Sequence, residues 1–374
     1  MKKKKICFLI NSMAGGGAEK VVSILLENLP RRNRDFLLIV LEDKFSYKIP
    51  SDIEVIKFSS NLDNSFKKFF GIFSGTIKLR KIIKKHKIDV VMSFLERSNY
   101  INVLAKALFS THKAYINERS NPSEYYADKS LRSFFNLFLI KKLYKKSDLI
   151  IVNSLGIMDT LIKKFSLKEE RIKVIHNPID TRKIQYLSQI PLDKNYQEMF
   201  SSIVIITVGR LIKEKGHKHL IRAFKQVKTR IKEVKLLILG EGEMEENLRG
   251  LSKELEIEND VLFLGWQKNP FKFLKRADIF VLSSLTEGLP NALIEAMACG
   301  LPVVSSDCLS GPNEILENGK NGILVPVGDE KALAGAVLKL LNNPNLRQEF
   351  STLAEKRSKD FSVKNIIVEY EEFF

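Results

Sequence analysis

The sequence predicts an α/β protein of two domains, each a doubly wound, Rossmann-like parallel sheet, with a cleft between them. At 374 residues the chain is longer than a typical single domain. Apolar runs of strand length alternate with amphipathic helical segments, and this alternation restarts near Ile203. We therefore expect a first domain over residues 1–178, a second over residues 179–355, and an amphipathic terminal segment over residues 356–374.

The predicted strands come in two series with helices between them. The first series is Ile6–Ile10, Phe36–Leu41, Glu54–Phe58, Asp89–Phe94, Lys113–Asn117 and Asp148–Asn153, and the run that begins at Ile172 closes it. The second series is Ile203–Val208, Val234–Leu239, Val261–Leu264 and Ala277–Leu282, with helices over Leu220–Val227 and Met244–Leu255. This order is typical of parallel sheets.

A glycine-rich loop, Gly15–Gly17, joins the first predicted strand to the first helix. Glycine lets the backbone approach a ligand closely and present N–H groups to a phosphate. The loop has neither the G-x-G-x-x-G pattern of dinucleotide-binding folds nor the Gly-Lys-Ser/Thr of a Walker loop. The pattern therefore disfavours a dinucleotide-dependent dehydrogenase.

The net charge of +17 indicates an anionic partner: nucleic acid, an acidic membrane surface or a phosphorylated substrate. No nucleic-acid-binding motif or stacking platform accompanies the charge, so we expect no nucleic-acid partner. There is no apolar run of transmembrane length, and Lys2–Lys5 lacks the apolar region of a signal peptide. The cysteines Cys7, Cys299 and Cys308 lack metal-ligand spacing and suit a reducing cytoplasm.

Residues 65–87 combine aromatic and basic side chains, and their pattern predicts two short amphipathic segments rather than one helix. Two interpretations stay open. The apolar face packs against the sheet, or the segment docks on anionic lipid. The apolar residues are Phe66, Phe69, Phe70, Phe73 and Ile77, and the basic residues are Lys67, Lys68, Lys78, Arg80, Lys81, Lys84 and Lys85.

Two polar turns share the letters Glu-Arg-Ser-Asn, and each follows a predicted strand of the first domain. The candidate residues are Glu96 and Arg97 in one turn and Glu118 and Arg119 in the other. Ligand sites of parallel sheets lie at the carboxyl ends of strands, although polar loops are also common there. The repetition favours a functional role for these residues.

A strand–turn–helix over Ser283–Gly300 is the most informative stretch of the second half. Pro290 stands where the first helical turn begins, and Glu287 and Glu295 flank that helix terminus. The turn aims free backbone N–H groups at a ligand. A second loop carries Arg210 and Lys215 after a strand, and two such cations suit a diphosphate.

These motifs together resemble the Glu-x7-Glu family of retaining, sugar-nucleotide-dependent glycosyltransferases, which have the GT-B fold. The resemblance covers essentially the whole chain and includes a hinge at Asn177-Pro178. It implies that Arg210 and Lys215 stabilise the leaving diphosphate, that Glu287 meets the sugar ring, and that Glu295 accepts hydrogen bonds from the ribose. It also implies that the terminal segment crosses back to the first domain.

Further donor-binding positions follow from the same resemblance. The glycines of the first loop would face the donor diphosphate, and backbone N–H groups of the turn would contact the sugar hydroxyls and the phosphate. The base would lie against Leu264-Gly265-Trp266, with Gly240 and Gly242 lining the floor of the site. These positions are Gly16, Gly17, Gly240, Gly242, Trp266, Gly288, Leu289, Pro290 and Asn291. Arg119 stands where the resembling enzymes often carry histidine.

Three first-domain segments, Ser46–Pro50, Ser93–Tyr100 and Ile116–Pro122, look closest to those of bacterial N-acetylgalactosaminyltransferases that extend undecaprenyl-diphosphate-linked oligosaccharides. That resemblance implies a UDP-sugar donor, a lipid-diphosphate-linked acceptor held by the first domain, and a peripheral position at the inner face of the cell membrane. We expect no cofactor and no metal, because the sequence has no Asp-x-Asp. Alternatives are a GT-B enzyme on soluble sugars (an epimerase or phosphorylase) or a non-catalytic nucleotide-sugar-binding protein, and the oligomeric state stays open.

Overall fold

The computed structural model describes residues 3–58, 65–109, 112–128 and 130–374. The chain forms two compact units. The first comprises Met1–Pro178 together with Val363–Phe374, and the second comprises Ile179–Ser362. Each unit contains one parallel sheet with helices, so the predicted α/β class with two Rossmann-like domains is confirmed.

The described residues of the first unit form a seven-stranded parallel sheet in the order β3-β2-β1-β4-β5-β6-β7. Its strands are β1 Lys4–Ile10, β2 Arg34–Val40, β3 Glu54–Lys57, β4 Val90–Phe94, β5 Lys113–Glu118, β6 Leu149–Val152 and β7 Ile172–Val174. Its helices before the second unit are α1 Gly17–Asn28, α2 Ser65–His86, α3 Glu96–Phe109, α4 Pro122–Tyr125, α5 Leu131–Leu143 and α6 Leu155–Phe165. Short 3₁₀ turns span Tyr144–Lys146 and Glu169–Arg171.

Strand β1 shows why the sheet has helices on both faces. Alternate residues of a strand point to opposite faces, so Phe8 packs in one core while Cys7 and Leu9 pack in another. Burying one such apolar side chain contributes roughly 1.5–3 kcal/mol. A strand with apolar residues on both faces is stable only when both faces are covered.

The described residues of the second unit form a six-stranded parallel sheet in the order β10-β9-β8-β11-β12-β13. The strands are β8 Ile203–Val208, β9 Val234–Leu239, β10 Val261–Phe263, β11 Ile279–Leu282, β12 Val303–Ser306 and β13 Ile323–Val325. The helices are α7 Thr181–Ser188, α8 Lys194–Gln197, α9 His217–Arg230, α10 Glu245–Glu254, α11 Phe271–Leu274, α12 Asn291–Ala298, α13 Pro312–Leu316, α14 Glu330–Leu341 and α15 Pro344–Ser358. Short 3₁₀ turns span Glu198–Ser201, Lys213–Lys215 and Lys359–Phe361.

The last helix, α16 Val363–Glu371, belongs to the first unit. Ile366, Ile367 and Tyr370 pack in the same core as Phe8. The predicted terminal segment began at residue 356, but residues 356–362 lie in the second unit. The reason is that α15 and the turn after it bury Ala354 and Phe361 in a core of that unit.

The prediction of two short segments over residues 65–87 was wrong, because α2 is one helix. Gly75 does not break it. A Cβ atom there would lie 2.8 Å from Cδ1 of Ile101 in α3, so the glycine permits close packing of the two helices. Leu79 and Ile83 are buried, whereas Phe73 and Ile77 are exposed. Five side chains that the sequence analysis assigned to this segment lie outside the described part of the structure: Phe66, Lys67, Lys68, Phe69 and Phe70.

The polar turn predicted at residues 95–99 is also different in the structure. Leu95 adopts a left-handed backbone conformation with φ of 71°, and Glu96 begins α3 directly. Glu96 and Arg97 therefore occupy the first turn of a helix instead of a loop.

No helix in the described part of the chain is both long enough and apolar enough to span a bilayer.

Candidate functional site

The turn between β11 and α12 lies at the carboxyl end of the second sheet, where such sheets hold ligands. Pro290, predicted as the first position of the helix, is the N-cap of α12, so the helix begins one residue later, at Asn291. Its carbonyl oxygen accepts a hydrogen bond from the Leu293 backbone N–H at 3.1 Å. The helix presents its N-terminal N–H groups toward the turn, as the sequence predicts.

Glu287 is held in the turn by one cation and one hydroxyl. The Lys215 ammonium lies 2.5 Å from Glu287 Oε1, and the Ser284 hydroxyl donates to the same oxygen at 2.6 Å. The Glu287 side chain is only 9% exposed and the Lys215 side chain 24%. A carboxylate this buried needs such partners, because an unpaired charge there would be costly.

A glycine brings the Lys215 loop against the turn. Gly216 has φ of +62°, and a Cβ atom there would lie 2.1 Å from the carbonyl oxygen of Ser283. The Leu285 N–H donates to the Glu214 carbonyl at 2.7 Å, and the Ser283 hydroxyl donates to the Lys215 carbonyl at 3.1 Å. These contacts set the position of Lys215 relative to Glu287.

Gly240 and Gly242 allow a third loop to reach the same edge of the sheet. A Cβ atom at Gly240 would lie 1.9 Å from the Gly209 carbonyl oxygen, and one at Gly242 would lie 2.4 Å from that of Leu211. The Arg210 loop therefore contacts both glycines through its backbone. The side chains of Arg210 and Trp266 are exposed, and the backbone N–H of Trp266 donates to Glu241 Oε1 at 3.1 Å.

The remaining predicted positions of the turn are buried or half-buried. Gly288 and Leu289 are buried, Asn291 is half-buried as the first residue of α12, and Glu295 is 7% exposed within that helix. The second unit therefore places Lys215 and Glu287 in contact, and their loops lie at one sheet edge with Arg210 and Gly240.

Sequence reasoning assigned no role to Ser284, Gly216 or Gly311, although all of them shape this turn. A Cβ atom at Gly311 would lie 2.7 Å from both the Gly288 carbonyl oxygen and Pro290 Cδ. Gly311 has φ of +93° and precedes α13. The Gly-Pro pair that follows β12 was the available signal, because such pairs mark turns at strand ends.

In the first unit, the glycine-rich loop opens α1. Gly16 is the N-cap, Gly17 is the first helical residue, and Gly15 has φ of +102°. The Tyr47 hydroxyl donates to the carbonyl oxygens of Gly15 and Gly16 at 3.3 and 3.4 Å. The loop thus has the conformation that its glycines predict.

Glu96 and Glu118 form a carboxyl pair at the ends of β4 and β5, with Glu118 buried and Glu96 half-buried. Burial, together with the negative charge of Glu96, raises the pKa of Glu118 to about 8. Burial likewise raises the pKa of Glu96, which hydrogen-bonds to the Tyr126 side chain. The Tyr144 hydroxyl donates to Glu118 Oε2 at 2.7 Å. Burial beside a second carboxyl thus favours the neutral, protonated form of Glu118.

Arg97 and Arg119 have separate partners. Arg97 Nη2 lies 2.6 Å from Glu42 Oε1. The buried Arg119 guanidinium donates to Asn177 Oδ1 at 2.7 Å and also to the Tyr370 hydroxyl of α16. Asn177 is the next-to-last residue of the first chain segment of this unit, which ends at Pro178. Arg119 thus ties the β5 end to both chain segments that border the second unit.

The fold and this turn define the class as a GT-B glycosyltransferase. A model of the "Glycosyltransferase Family 4" matches residues 15–183, and a model of the "Glycosyl transferases group 1" matches residues 192–357. The chain therefore belongs to the glycosyltransferases that combine a family 4 domain with a group 1 domain. This result confirms the predicted family.

The chain is similar over nearly its whole length to two curated proteins and one solved structure. The chain is 36% identical, over 96% of both sequences, to the Campylobacter jejuni N-acetylgalactosamine-N,N'-diacetylbacillosaminyl-diphospho-undecaprenol 4-alpha-N-acetylgalactosaminyltransferase. It is 28% identical to a second C. jejuni alpha-1,4-N-acetyl-D-galactosaminyltransferase, over 98% of this chain and 97% of that one. The structure of Anabaena HepE with UDP and glucose superposes with a TM-score of 0.82 at 22% identity, covering 99% of each chain.

Proposed function

We propose that this protein is a retaining glycosyltransferase that moves N-acetylgalactosamine from a UDP-sugar to a lipid-diphosphate-linked oligosaccharide in surface-glycan or protein-glycan assembly. The observation that carries the proposal is the contact of Lys215 with Glu287 inside a turn shaped by glycines. N-acetylgalactosamine and the lipid-diphosphate-linked acceptor are the sugar and the acceptor in the name of the Campylobacter jejuni relative at 36% identity.

In this proposal the second unit binds the donor and stabilises the leaving diphosphate. The bond between sugar and phosphate breaks with negative charge building on the phosphate. Fixed cations and backbone N–H groups lower the energy of that charge. Arg210 can make forked hydrogen bonds to the phosphate oxygens, and Lys215 acts as a point charge. The step then requires no metal ion.

Glu287 and Glu295 orient the donor. Glu287, already fixed by Lys215 and Ser284, accepts hydrogen bonds from the sugar hydroxyls, while Glu295 accepts them from the ribose. Trp266 lies against the base, and Gly240 and Gly242 leave room beside it. A site with hydrogen-bonding groups fixed for hydroxyls rejects analogues that lack them.

In this proposal the first unit binds the acceptor. Glu96, Arg97 and Glu118 lie at the carboxyl ends of β4 and β5, where parallel sheets hold ligands. Arg119 acts as a positioning residue through Asn177 and Tyr370. The net charge of +17 supports a peripheral position at the anionic inner face of the cell membrane.

The decisive experiment incubates the protein with UDP-N-acetylgalactosamine, UDP-N-acetylglucosamine, UDP-galactose and UDP-glucose, each with a lipid-diphosphate oligosaccharide. We expect one added N-acetylhexosamine by mass and an α-linkage by NMR, as retention of the donor configuration requires. Release of free sugar without an acceptor, or phosphorolysis, would favour an enzyme of soluble sugars. UDP-sugar binding without any turnover would make the protein a binding module.

A further inference from the structure

Helix α5 of the first unit exposes a row of large apolar side chains. Leu131 is 89% exposed, Phe134 73%, Phe135 38% and Phe138 48%. These positions follow the three- and four-residue spacing of one helix face. Contiguous exposed apolar surface on a folded protein marks a place that binds something. We call these four side chains the outer face of α5.

The opposite side anchors α5 to its unit. Ile140 and Leu143 are buried in the core that contains Tyr144, and Leu137 and Leu139 pack against it. The Ser130 side chain caps the helix by accepting from the Ser133 N–H at 3.1 Å, and the Tyr100 hydroxyl donates to Asn136 Oδ1 at 3.1 Å. Since the inner side is already packed, rotation of the helix cannot bury the outer face.

The charge along α5 and the turn after it is basic, and one carboxyl, Asp128, lies at the N-terminal end of the helix, where it accepts a hydrogen bond from the Ser133 hydroxyl. Residues 130–146 contain five basic residues and no acidic residue. The Lys142 ammonium lies 5.9 Å from the centre of the Phe138 ring. The basic residues, all exposed, are Arg132, Lys141, Lys142, Lys145 and Lys146. Aromatic and leucine side chains on one face with flanking lysines are typical of helices that lie in the interface of an anionic membrane.

We propose that the outer face of α5 docks on an anionic lipid bilayer, with Phe134 and Phe138 inserted among the headgroups and the lysines on lipid phosphates. This inference rests on the proposed lipid-linked acceptor, and it names the surface that brings the first unit to that acceptor. A protein partner fits less well, because buried interfaces are poor in lysine. Arrangement of the helix parallel to the membrane plane also needs no change in the fold.

Helix α2 offers the matched comparison within the same unit. It also exposes apolar residues, Phe73 at 63% and Ile77 at 42%. Among the described side chains of α2 these two are the exposed large apolar residues, against four on the outer face of α5. The same serine substitutions in the two helices therefore distinguish them.

The first test measures flotation of the full-length protein with vesicles of phosphatidylcholine alone or with phosphatidylglycerol. We expect binding only to the anionic vesicles. Phe134→Ser/Phe138→Ser should weaken that binding at least tenfold, while the control Phe73→Ser/Ile77→Ser stays within about twofold of wild type. Lys141→Gln/Lys142→Gln should weaken it mainly at low salt, because salt screens surface charge.

A second measurement detects insertion directly. The native cysteines Cys7, Cys299 and Cys308 are buried, so a cysteine introduced by Phe138→Cys can be labelled selectively with the fluorophore NBD. NBD emission should rise and shift to the blue on adding anionic vesicles. A label introduced by Tyr186→Cys, at an exposed position of the second unit, should not respond.

Three outcomes would overturn the inference: wild type that does not bind anionic vesicles, a Phe134→Ser/Phe138→Ser variant that floats like wild type, or a wild-type dimer that this variant converts to monomer. The last outcome would assign the face to a second copy of the chain. UDP affinity, measured by calorimetry, should be equal in all variants. Vesicle binding without sugar transfer would refute the proposed function and leave the docking surface intact.

Discussion

Glu287 and Glu118 are both buried carboxyls near the carboxyl ends of parallel strands, yet their surroundings differ. Glu287 has the Lys215 ammonium and the Ser284 hydroxyl as partners. Glu118 has Tyr144 and a second carboxyl, Glu96, and burial together with that carboxyl raises its pKa to about 8. The difference shows that the electrostatic surroundings of a glutamate depend on what the fold places beside it.

The largest expected effect comes from removing the cation at Glu287. Lys215→Ala and Arg210→Ala should each lose about 3 kcal/mol of transition-state stabilisation, on the order of a hundredfold in kcat/KM. Lys213→Ala, an exposed lysine of the same loop, is the matched control and should retain activity. Steady-state kinetics with the identified UDP-sugar measure all three. Near-normal turnover of Lys215→Ala would remove the ion pair from the mechanism.

The next prediction concerns Gly216, the glycine that holds the Lys215–Glu287 ion pair in place. Gly216→Ala puts a methyl group 2.1 Å from the Ser283 carbonyl at φ of +62°. We expect on the order of 2 kcal/mol less stability, because both the clash and the backbone strain must be relieved. Urea unfolding measures the loss.

Gly250→Ala is the control for that substitution. Gly250 lies in α10, and a Cβ atom there would have nothing within 4 Å. Alanine is the better helix former, so this variant should be stabilised by up to about 1 kcal/mol. Equal effects of the two substitutions would show that the Gly216 contact does not matter.

A smaller effect tests the neutral carboxyl of the first unit. The pKa of Glu118 is about 8 in the folded protein, above its ordinary value of 4.5. Between these values the folded protein retains a proton that the unfolded chain has lost. The free energy of unfolding should therefore fall as pH rises from 5 to 8, by at most about 1.4 kcal/mol per pH unit.

Glu118→Gln should flatten this pH dependence, because the amide does not titrate. Urea unfolding at pH 5, 6, 7 and 8 measures the slope. Glu317→Gln is the control, since a hydrogen bond from Asn321 lowers the pKa of Glu317 and its titration falls below this range. An unchanged slope in Glu118→Gln would mean that Glu118 is already ionised in the folded protein.

The smallest expected effect is that of chelation. If Arg210, Lys215 and the start of α12 supply the charge that the donor site needs, transfer should continue at its normal rate in excess EDTA. Activity abolished by EDTA and restored by Mg²⁺ or Mn²⁺ would show that the cations of the second unit are insufficient.

The sequence was informative wherever local pattern and local structure coincide. Continuous apolar runs such as Ile203–Val208 are strands in the structure with the same bounds, because a strand buried on both faces has few alternatives. The Ser283–Gly300 stretch predicts a strand, a turn and a helix from Pro290 and the apolar helix after it. The resemblance singled out Gly240 and Gly242, and the structure shows that only a residue without a Cβ atom fits at these two positions.

The errors arose where a distant residue decides the local structure. Gly75 suggests a helix break until Ile101 is seen to pack against it, so α2 is continuous. The two polar turns read alike in sequence, but one begins α3 and the other buries Glu118 and Arg119. The segment over residues 356–362 stays with the second unit because Phe361 packs there.

By itself, the sequence determined the α/β class, the two series of strands and the motif residues, because these depend on spacing along one chain. Tertiary structure alone decided which residues meet: Lys215 with Glu287, Glu96 with Glu118, and Arg119 with Tyr370. It also decided that the outer face of α5 points to solvent, since Ile140 and Leu143 occupy the core. The physical reason is that the charge state and the exposure of a side chain depend on its neighbours in space. Such neighbours can be hundreds of residues away in the chain, as Tyr370 is from Arg119.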